Sequence, residues 1–131
     1  MIVLDTHAWL WWMRDQARFG KKARHLIDQS MHNGQARVSV ISVWEVALKS
    51  AAGKLKLPMD FDLWWDAARN CPGITFVPID SPDAIASVQL PDSVPRDPAD
   101  RLIVALAARL GATLVTLDKR LIDCGIVPTS F

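Results

Sequence analysis

Acidic residues lie at the end of an apolar run or at the start of a predicted helix at four widely separated places in this chain of 131 residues. Asp5 and Asp118 each come directly after a short apolar run, whereas Glu45 and Asp100 lie in the first turns of two predicted helices. Carboxylate oxygens without a Cys or His cluster suit a hard cation such as Mg²⁺ or Mn²⁺. Two such ions roughly 4 Å apart can activate water and stabilise the leaving oxygen of a phosphodiester. Gathered at one place, these acids would form a metal-dependent hydrolytic site.

Each acid also has a local explanation. The segment Ser42-Val43-Trp44-Glu45 fits a capping box, and Asp97-Pro98-Ala99-Asp100 fits one nearly as well. Acids in a first helical turn are favoured by the helix dipole. Asp5 and Asp118 can each cap the helix that follows them. No acid alone therefore indicates catalysis, and the chemical interpretation depends on whether the fold brings them together.

Short apolar segments rich in β-branched residues predict strands that begin near residues 1, 37, 74 and 113. Such strands, buried on both faces, are typical of parallel sheets covered by helices. Strands are predicted over 1–4, 37–41, 74–79 and 112–117, with an edge segment near 126–127. Helices are predicted over 6–13, 21–32, 42–52, 60–70, 81–90, 98–110 and 119–124.

This alternation predicts an α/β fold of three layers, α/β/α, with a mostly parallel sheet of four to five strands. The carboxyl ends of parallel strands share one rim, where open α/β folds bind their ligands. Asp5, Glu45, Asp100 and Asp118 would all belong to that rim. The predicted topology therefore brings together acids that are far apart in sequence.

The composition is that of one globular domain spanning residues 1–131, since 50% of residues are hydrophobic and 22% are charged. The net charge of +1 neither demands nor excludes a polyanionic partner. Cys71 and Cys124 are expected to be free thiols in a reducing compartment. No signal peptide is recognisable, and the longest strongly apolar stretch, 102–108, is far too short to span a membrane. A cytoplasmic protein without membrane association is expected.

Four segments together resemble the signature segments of PIN-domain ribonucleases, and most closely those of VapC-like toxins from toxin–antitoxin pairs. The segments are Val3–Ala8, Ser42–Ala47, Arg96–Ala105 and Leu114–Asp118. Each is weak alone, but the set occurs in the right order across nearly the whole chain. The resemblance implies a PIN-like fold, metal-dependent cleavage of RNA and a cognate antitoxin protein as partner.

The resemblance also implies a set of site residues. The catalytic acids and ligands of Mg²⁺ or Mn²⁺ would be Asp5, Glu45, Asp100 and Asp118. Asp100 matches the helix acid of the family, which leaves Asp97 as the N-cap with a lesser expectation of contact with the site. Thr6 and Thr116 are expected to orient a carboxylate or water. The chain departs from the family at Leu117, where many members carry a polar residue just before the fourth acid.

Basic and aromatic residues suggest partners. Arg96 and Arg101 flank the acidic segment and are candidates for RNA phosphate contacts, although Arg101 could equally pair with Asp97. Trp9 and Trp12 can share one helix face, whereas Trp11 points elsewhere. An exposed apolar patch would suit an antitoxin segment, a second copy of the chain in a homodimer, or the stacking of RNA bases.

Three other functions are compatible with parts of this pattern. A phosphorelay receiver domain needs paired acids after its first strand and a lysine after its last, whereas Asp5 stands alone. A PIN-fold nuclease for RNA processing, without a toxin role, fits the same residues. A catalytically silent PIN-fold binding module also fits, but the complete set of four acids argues against it.

Overall fold

A five-stranded parallel sheet forms the centre of the computed structural model, which describes all 131 residues. The strand order is β3-β2-β1-β4-β5. The strands are β1 (Ile2–Leu4), β2 (Ala36–Ser39), β3 (Ile74–Val77), β4 (Thr113–Val115) and β5 (Thr129–Ser130). Leu4, at the end of the central strand, is in register with Val38 and Val115 on its two neighbours. The carboxyl ends of β1, β2 and β4 therefore meet at one rim.

Seven α-helices cover the sheet. They are α1 (Thr6–Arg14), α2 (Lys21–His32), α3 (Val40–Ala51), α4 (Phe61–Arg69), α5 (Ser81–Gln89), α6 (Pro98–Leu110) and α7 (Lys119–Cys124). Alternate residues of β1 point to opposite faces of the sheet. Ile2 and Leu4 pack into one core with α1, α2 and α4, whereas Val3 packs into a second core with α6. The three-layer prediction is thus confirmed.

Several predicted boundaries are wrong, and β2 ends at Ser39 and not at 41. Helix α3 begins at Val40 and not at Ser42, because the Ser39 hydroxyl oxygen accepts a hydrogen bond from the Ile41 amide at 3.2 Å and caps the helix. The edge strand lies at Thr129–Ser130 and not at 126–127. Residues 126 and 127 instead pack against the core that contains Val3. Strand β3 is at the sheet edge and ends directly before Pro78, as the proline predicted.

Tryptophans fill the core on the α1 side of the sheet. Trp9 and Trp12 share a buried face of α1, as predicted, and the Trp9 ring lies 5.1 Å from that of Trp64. Trp11 points away, and the guanidinium of Arg18 lies 3.6 Å from its ring centre. None of the helices has both the length and the apolar character needed to cross a membrane.

Candidate active site

A polar pocket of about 180 Å³ opens at the carboxyl rim of the sheet. It lies where β1 and β4 end and where α3 and α6 face each other. No hydrophobic side chain lines it; its walls are Asp5, Thr6, His7, Glu45, Lys49, Asp97, Asp100, Asp118 and Arg120. The fold therefore brings together all four predicted acids, together with Asp97 and Thr6.

Asp5 is the most deeply buried acid of the pocket, with 4% of its surface exposed. It caps α1, since its Oδ1 accepts a hydrogen bond from the Ala8 amide at 2.7 Å. Its Oδ2 accepts a short hydrogen bond from the hydroxyl of Thr116. Burial raises the pKa of Asp5 above its usual range, and the two hydrogen bonds only partly oppose that rise. Asp5 is thus a fixed carboxylate in surroundings that favour a nearby positive charge.

Glu45 lies in the second turn of α3, because that helix begins at Val40. It therefore does not cap the helix, and the capping-box interpretation is wrong. The Thr6 hydroxyl lies 2.7 Å from Glu45 Oε1 and 2.8 Å from the buried Ser42 Oγ. Because the carboxylate only accepts, the Thr6 hydrogen goes to Glu45 and the Ser42 hydroxyl donates to Thr6. Lys49 Nζ lies 3.5 Å from the other oxygen, Oε2.

Asp97 and Asp100 have different environments at the start of α6. Asp97 caps the helix, and its Oδ1 accepts hydrogen bonds from the amides of Ala99 at 2.8 Å and Asp100 at 3.3 Å. Asp100 makes no such bond. Burial, followed by the negative charges of Asp97, Glu45 and Asp118, raises the pKa of Asp100 to about 6. Asp100 is therefore the acid whose charge is least compensated within the pocket.

Asp118 is paired with an arginine that the sequence patterns did not single out. Arg120 Nε and Nη2 donate to its two carboxylate oxygens at 3.2 and 2.7 Å, and the Arg120 amide donates to Oδ1 at 2.9 Å. These bonds hold the pKa of Asp118 below its usual range. Arg120 Nη2 also lies 3.8 Å from Asp100 Oδ2. The only available signal was the position of Arg120 two residues after the fourth acid.

Comparison with known families agrees with this geometry. The family model described as PIN domain matches residues 2–126. The chain belongs to the PIN-domain family. It is similar to Ribonuclease VapC22 of Mycobacterium tuberculosis, with 33% identity over 120 residues that cover 92% of this chain and 88% of that protein. The resemblance seen in the four sequence segments is confirmed.

Solved structures share the PIN fold at low sequence identity. VapBC2 from Rickettsia felis, bound to a DNA fragment from their promoter, gives a TM-score of 0.71 at 16% identity, covering 99% of this chain and 98% of that one. DNA-bound VapBC from Salmonella typhimurium gives a TM-score of 0.70 at 18% sequence identity, covering 98% of this chain and 96% of that one. FitAcB from Neisseria gonorrhoeae gives a TM-score of 0.67 at 20% sequence identity, covering 100% of this chain and 97% of that one. At these identities the likeness establishes the fold.

The acids of this PIN domain fit a hard divalent cation by donor type and by charge. Every donor is a carboxylate oxygen, the ligand that Mg²⁺ and Mn²⁺ prefer, and Asp5 and Asp100 both have raised pKa values. No three acidic, His or Cys side chains are close enough to one another to bind a single ion together. Glu45 and Asp118 instead face Lys49 and Arg120. Magnesium binds only one or two protein carboxylates and keeps several of its water ligands. A site with few directly converging acids is therefore compatible with a hydrated Mg²⁺ ion.

The two arginines proposed as RNA contacts differ in their surroundings. The guanidinium of Arg101 donates to the carbonyl oxygens of Ser87 at 2.9 Å, Leu90 at 2.6 Å and Val94 at 3.1 Å. It makes no ion pair with Asp97, and it holds the proline loop that precedes α6. Each of its three nitrogens donates to a backbone carbonyl, so the geometry gives no support to an RNA contact. Arg96 is exposed, forms no ion pair and keeps its donors available to a phosphate.

An apolar groove of about 430 Å³ adjoins the acidic pocket of the PIN domain. His7 lines both. The apolar walls come from α1, the segment 55–59 and α4: Leu10, Trp11, Met13, Leu55, Leu57, Pro58, Met59, Trp64 and Ala67. Trp9, Trp12 and Trp64 are thus buried, whereas Trp11 contributes to the apolar surface beside the site.

Proposed function

We propose that this chain is a divalent-cation-dependent endoribonuclease that acts as the toxin of a toxin–antitoxin pair. The strongest support is the arrangement of Asp5, Glu45, Asp100 and Asp118 around one polar pocket in a PIN domain. The similarity to a ribonuclease over 92% of the chain supports the same reaction class. Since RNA would be the substrate, action in the cytoplasm is expected.

Asp5 and Asp100 would be the principal ligands of Mg²⁺ or Mn²⁺, and Glu45 and Asp118 would bind a second ion or position the attacking water. A bound divalent cation lowers the pKa of water and stabilises the charge of the leaving oxygen. The pocket contains no Ser or Cys, and its carboxylates are assigned to the cation, so water would be the nucleophile. Thr116 would hold Asp5 in place from β4.

Thr6 and Ser42 would hold Glu45 in the same way. Their hydroxyls form a buried chain that ends on Glu45 Oε1. This chain fixes the carboxylate from α1 and from the first turn of α3, so that Glu45 does not need to reorganise when the substrate arrives. Preorganised polar groups of this kind lower the barrier to reaction because they are already aligned.

The apolar groove beside the pocket is the proposed site of the antitoxin. The similar structures include a toxin–antitoxin complex, which supports a protein partner of this kind. A groove of this size suits an amphipathic segment that buries its apolar face against Leu57 and Trp64. His7 connects the groove to the acidic pocket, so a segment bound there would also restrict access of RNA.

We propose that a homodimer would form through a surface other than the apolar groove. Val40, Trp44 and Leu48 of α3, together with Ile79 after β3, form an exposed apolar patch, with Trp44 55% exposed. Exposed apolar residues grouped in this way are typical of protein interfaces. Substituting Trp44→Ser should shift the protein to the monomer in light scattering if this patch carries the dimer.

The decisive experiment measures cleavage of single-stranded RNA by the purified protein with Mg²⁺ or Mn²⁺. EDTA should abolish cleavage, and Asp5→Asn should reduce it at least about 100-fold, because loss of partners outside the ligand shell already costs about 10–100-fold. Asp66→Asn is the matched control, since Asp66 is an exposed aspartate paired with Arg69 away from the pocket. Cleavage that survives both EDTA and Asp5→Asn would overturn the proposed metal mechanism.

Two further observations separate the toxin from a nuclease of RNA processing and from a silent binding module. Expression in bacteria should arrest growth for the natural sequence and not for Asp5→Asn. A small upstream reading frame that overlaps this one and encodes a DNA-binding N-terminus would support the toxin role. Cleavage without growth arrest would favour RNA processing, and RNA binding without cleavage would favour the binding module.

A further inference from the structure

Arg120 links two of the pocket acids. Its guanidinium forms a two-pronged contact with Asp118, with Nε and Nη2 on different carboxylate oxygens at 3.2 and 2.7 Å. Nη2 also lies 3.8 Å from Asp100 Oδ2. Arg120 is therefore the cation that balances the charge on this side of the pocket.

Arg120 is held only at its tip. Its side chain is 68% exposed, and its hydrogen-bond acceptors are both on Asp118. Exposed ion pairs are weak, because water screens them and long side chains lose freedom on pairing. The guanidinium of Arg101, in contrast, is fixed by the backbone carbonyl oxygens of Ser87 in α5 and of Leu90 and Val94 in the loop that follows. Arg120 can thus leave Asp118 at little cost.

Carboxylate and phosphate groups are interchangeable partners for a guanidinium. Both offer two oxygens at the spacing of its paired N–H groups. A divalent cation at the pocket would compete with Arg120 for the oxygens of Asp118. The released guanidinium would remain beside the pocket, where the phosphate of a bound RNA must lie for hydrolysis.

We propose that Arg120 exchanges partners during the catalytic cycle. It neutralises Asp118 in the cation-free protein and contacts an RNA phosphate at the pocket once a divalent cation binds Asp118. Arg120 is then a substrate-binding residue as well as a competitor of the cation. This inference rests on the proposed ribonuclease function.

Lys49 does not have the same geometry. Its ammonium group approaches one oxygen of Glu45 at 3.5 Å and makes no contact with a second acid. An ammonium is a point charge that lacks the paired N–H groups of a guanidinium. Lys49 is expected to add positive potential at the pocket without the partner exchange assigned to Arg120.

The first test is the affinity for Mn²⁺ in the absence of RNA, measured by calorimetry on the full chain. Arg120→Gln should bind Mn²⁺ about two- to fivefold more tightly than the natural sequence, since the variant lacks the competing ion pair. Arg69→Gln is the matched control, because Arg69 also pairs with a nearby exposed aspartate, Asp66, and should leave the affinity unchanged. Thermal unfolding followed by circular dichroism should show the same transition for both variants.

The second test is the cleavage of single-stranded RNA at saturating Mn²⁺. Arg120→Gln should lower kcat/KM about 10- to 100-fold, as expected for the loss of a charge-assisted hydrogen bond to phosphate. Arg120→Lys should recover part of that loss, because it keeps the charge without the paired donors. Tighter cation binding together with slower cleavage is a combination that a purely structural role would not produce.

The outcomes separate this inference from the proposed function. If the natural sequence cleaves RNA with Mn²⁺ but Arg120→Gln leaves both the Mn²⁺ affinity and kcat/KM unchanged, the partner exchange is wrong and the ribonuclease stands. If Arg120→Gln weakens Mn²⁺ binding, the competition is also overturned. If the natural sequence neither binds Mn²⁺ nor cleaves RNA, both proposals fail.

Discussion

The hydroxyl group of Thr116 donates a hydrogen bond to Asp5 across the carboxyl rim of the sheet. Thr116 is completely buried and directly follows β4, whereas Asp5 directly follows the neighbouring strand β1. The same Thr116 oxygen accepts the amide hydrogen of Asp118 at 3.0 Å. One small side chain therefore fixes the positions of two pocket acids.

Replacing Thr116 by valine should damage both stability and activity. Thr116→Val keeps the shape of the side chain but leaves the Asp5 carboxylate and the Asp118 amide without their partner. We expect the free energy of unfolding to fall by about 1–3 kcal/mol. Cleavage should fall about 10- to 100-fold, as for other residues that orient ligands. Urea denaturation in EDTA and RNA cleavage rates measure the two effects.

Thr116→Ser is the control for this change. Serine retains the hydroxyl and loses only a methyl group, so cleavage should stay within about threefold of the natural rate. Equal losses for Thr116→Ser and Thr116→Val would show that packing, and not the hydrogen bond, is what matters at this position.

The sheet and its acidic rim were predictable because buried parallel strands have a strong local signature. Short β-branched runs that end in Asp5 and Asp118 determine both the strand and the position of its acid. Contacts between elements carry no such signature. The Thr6–Glu45 hydrogen bond joins residues 39 positions apart, and only the packing of α1 on α3 produces it.

The first residue of α3 was also not predictable from local sequence alone. Ser39 and Ser42 are both competent caps by residue type, and the choice depends on where β2 leaves the sheet. The role of Arg101 could not be predicted either, because its acceptors are backbone carbonyl oxygens, which every sequence presents. Side-chain partners across elements are set by tertiary packing, which the sequence patterns do not encode locally.

Asp100 should make the cation-free protein less stable as the pH rises. The pKa of this carboxyl group is raised from its usual 3.8 to about 6 in the folded state. Between these two values the folded state holds the proton that the unfolded state has lost, so the free energy of unfolding falls as pH increases. Asp100→Asn should therefore stabilise the protein in EDTA at pH 7, by about 1 kcal/mol after allowance for solvent screening.

Urea denaturation in EDTA at about pH 4.5 and about pH 7 tests this sign. The stabilising effect of Asp100→Asn should be larger at the higher pH. Asp66→Asn, at an exposed position outside the pocket, should show no such dependence. A variant Asp100→Asn that is less stable than the natural sequence at pH 7 would contradict the assigned charge repulsion.

Binding of Mn²⁺ should strengthen as the pH rises through about 6, the pKa of Asp100. The cation and the proton compete for the same oxygens, so binding releases a proton at low pH. Calorimetry in two buffers of different ionisation enthalpy measures that release. Asp100→Asn should bind weakly and lose the pH dependence in this range, whereas an unchanged dependence would assign it to another group.

Substitutions at Arg101 and Arg96 should distinguish a residue that stabilises the fold from one that binds RNA. Arg101→Ala removes the donors to the carbonyl oxygens of Ser87, at the end of α5, and of Leu90 and Val94, in the loop before α6. We expect a loss of about 2–4 kcal/mol in the free energy of unfolding, because buried acceptors are left unpaired. Arg96→Ala should leave stability unchanged and weaken RNA binding, with a lower slope in its salt dependence.

Denaturation curves and fluorescence anisotropy with labelled RNA measure the two effects separately. Arg101→Lys should not restore stability fully, since a single ammonium group cannot reach all three carbonyl oxygens. A stable Arg101→Ala variant that fails to bind RNA would return Arg101 to the role of a phosphate contact.

Asp97 should act through the α6 cap and not as a cation ligand. Its Oδ1 is occupied by the amides of Ala99 and Asp100, whereas Asp100 itself has no such partner. Asp97→Ser retains a capping oxygen and should cost little stability, while Asp97→Ala should cost about 1 kcal/mol. Because the negative charge of Asp97 raises the pKa of Asp100, both variants should lower that pKa.

Calorimetry should show Mn²⁺ affinity within about threefold of the natural value for Asp97→Ser, against a loss of at least about tenfold for Asp100→Asn. Equal losses for the two variants would make Asp97 a ligand.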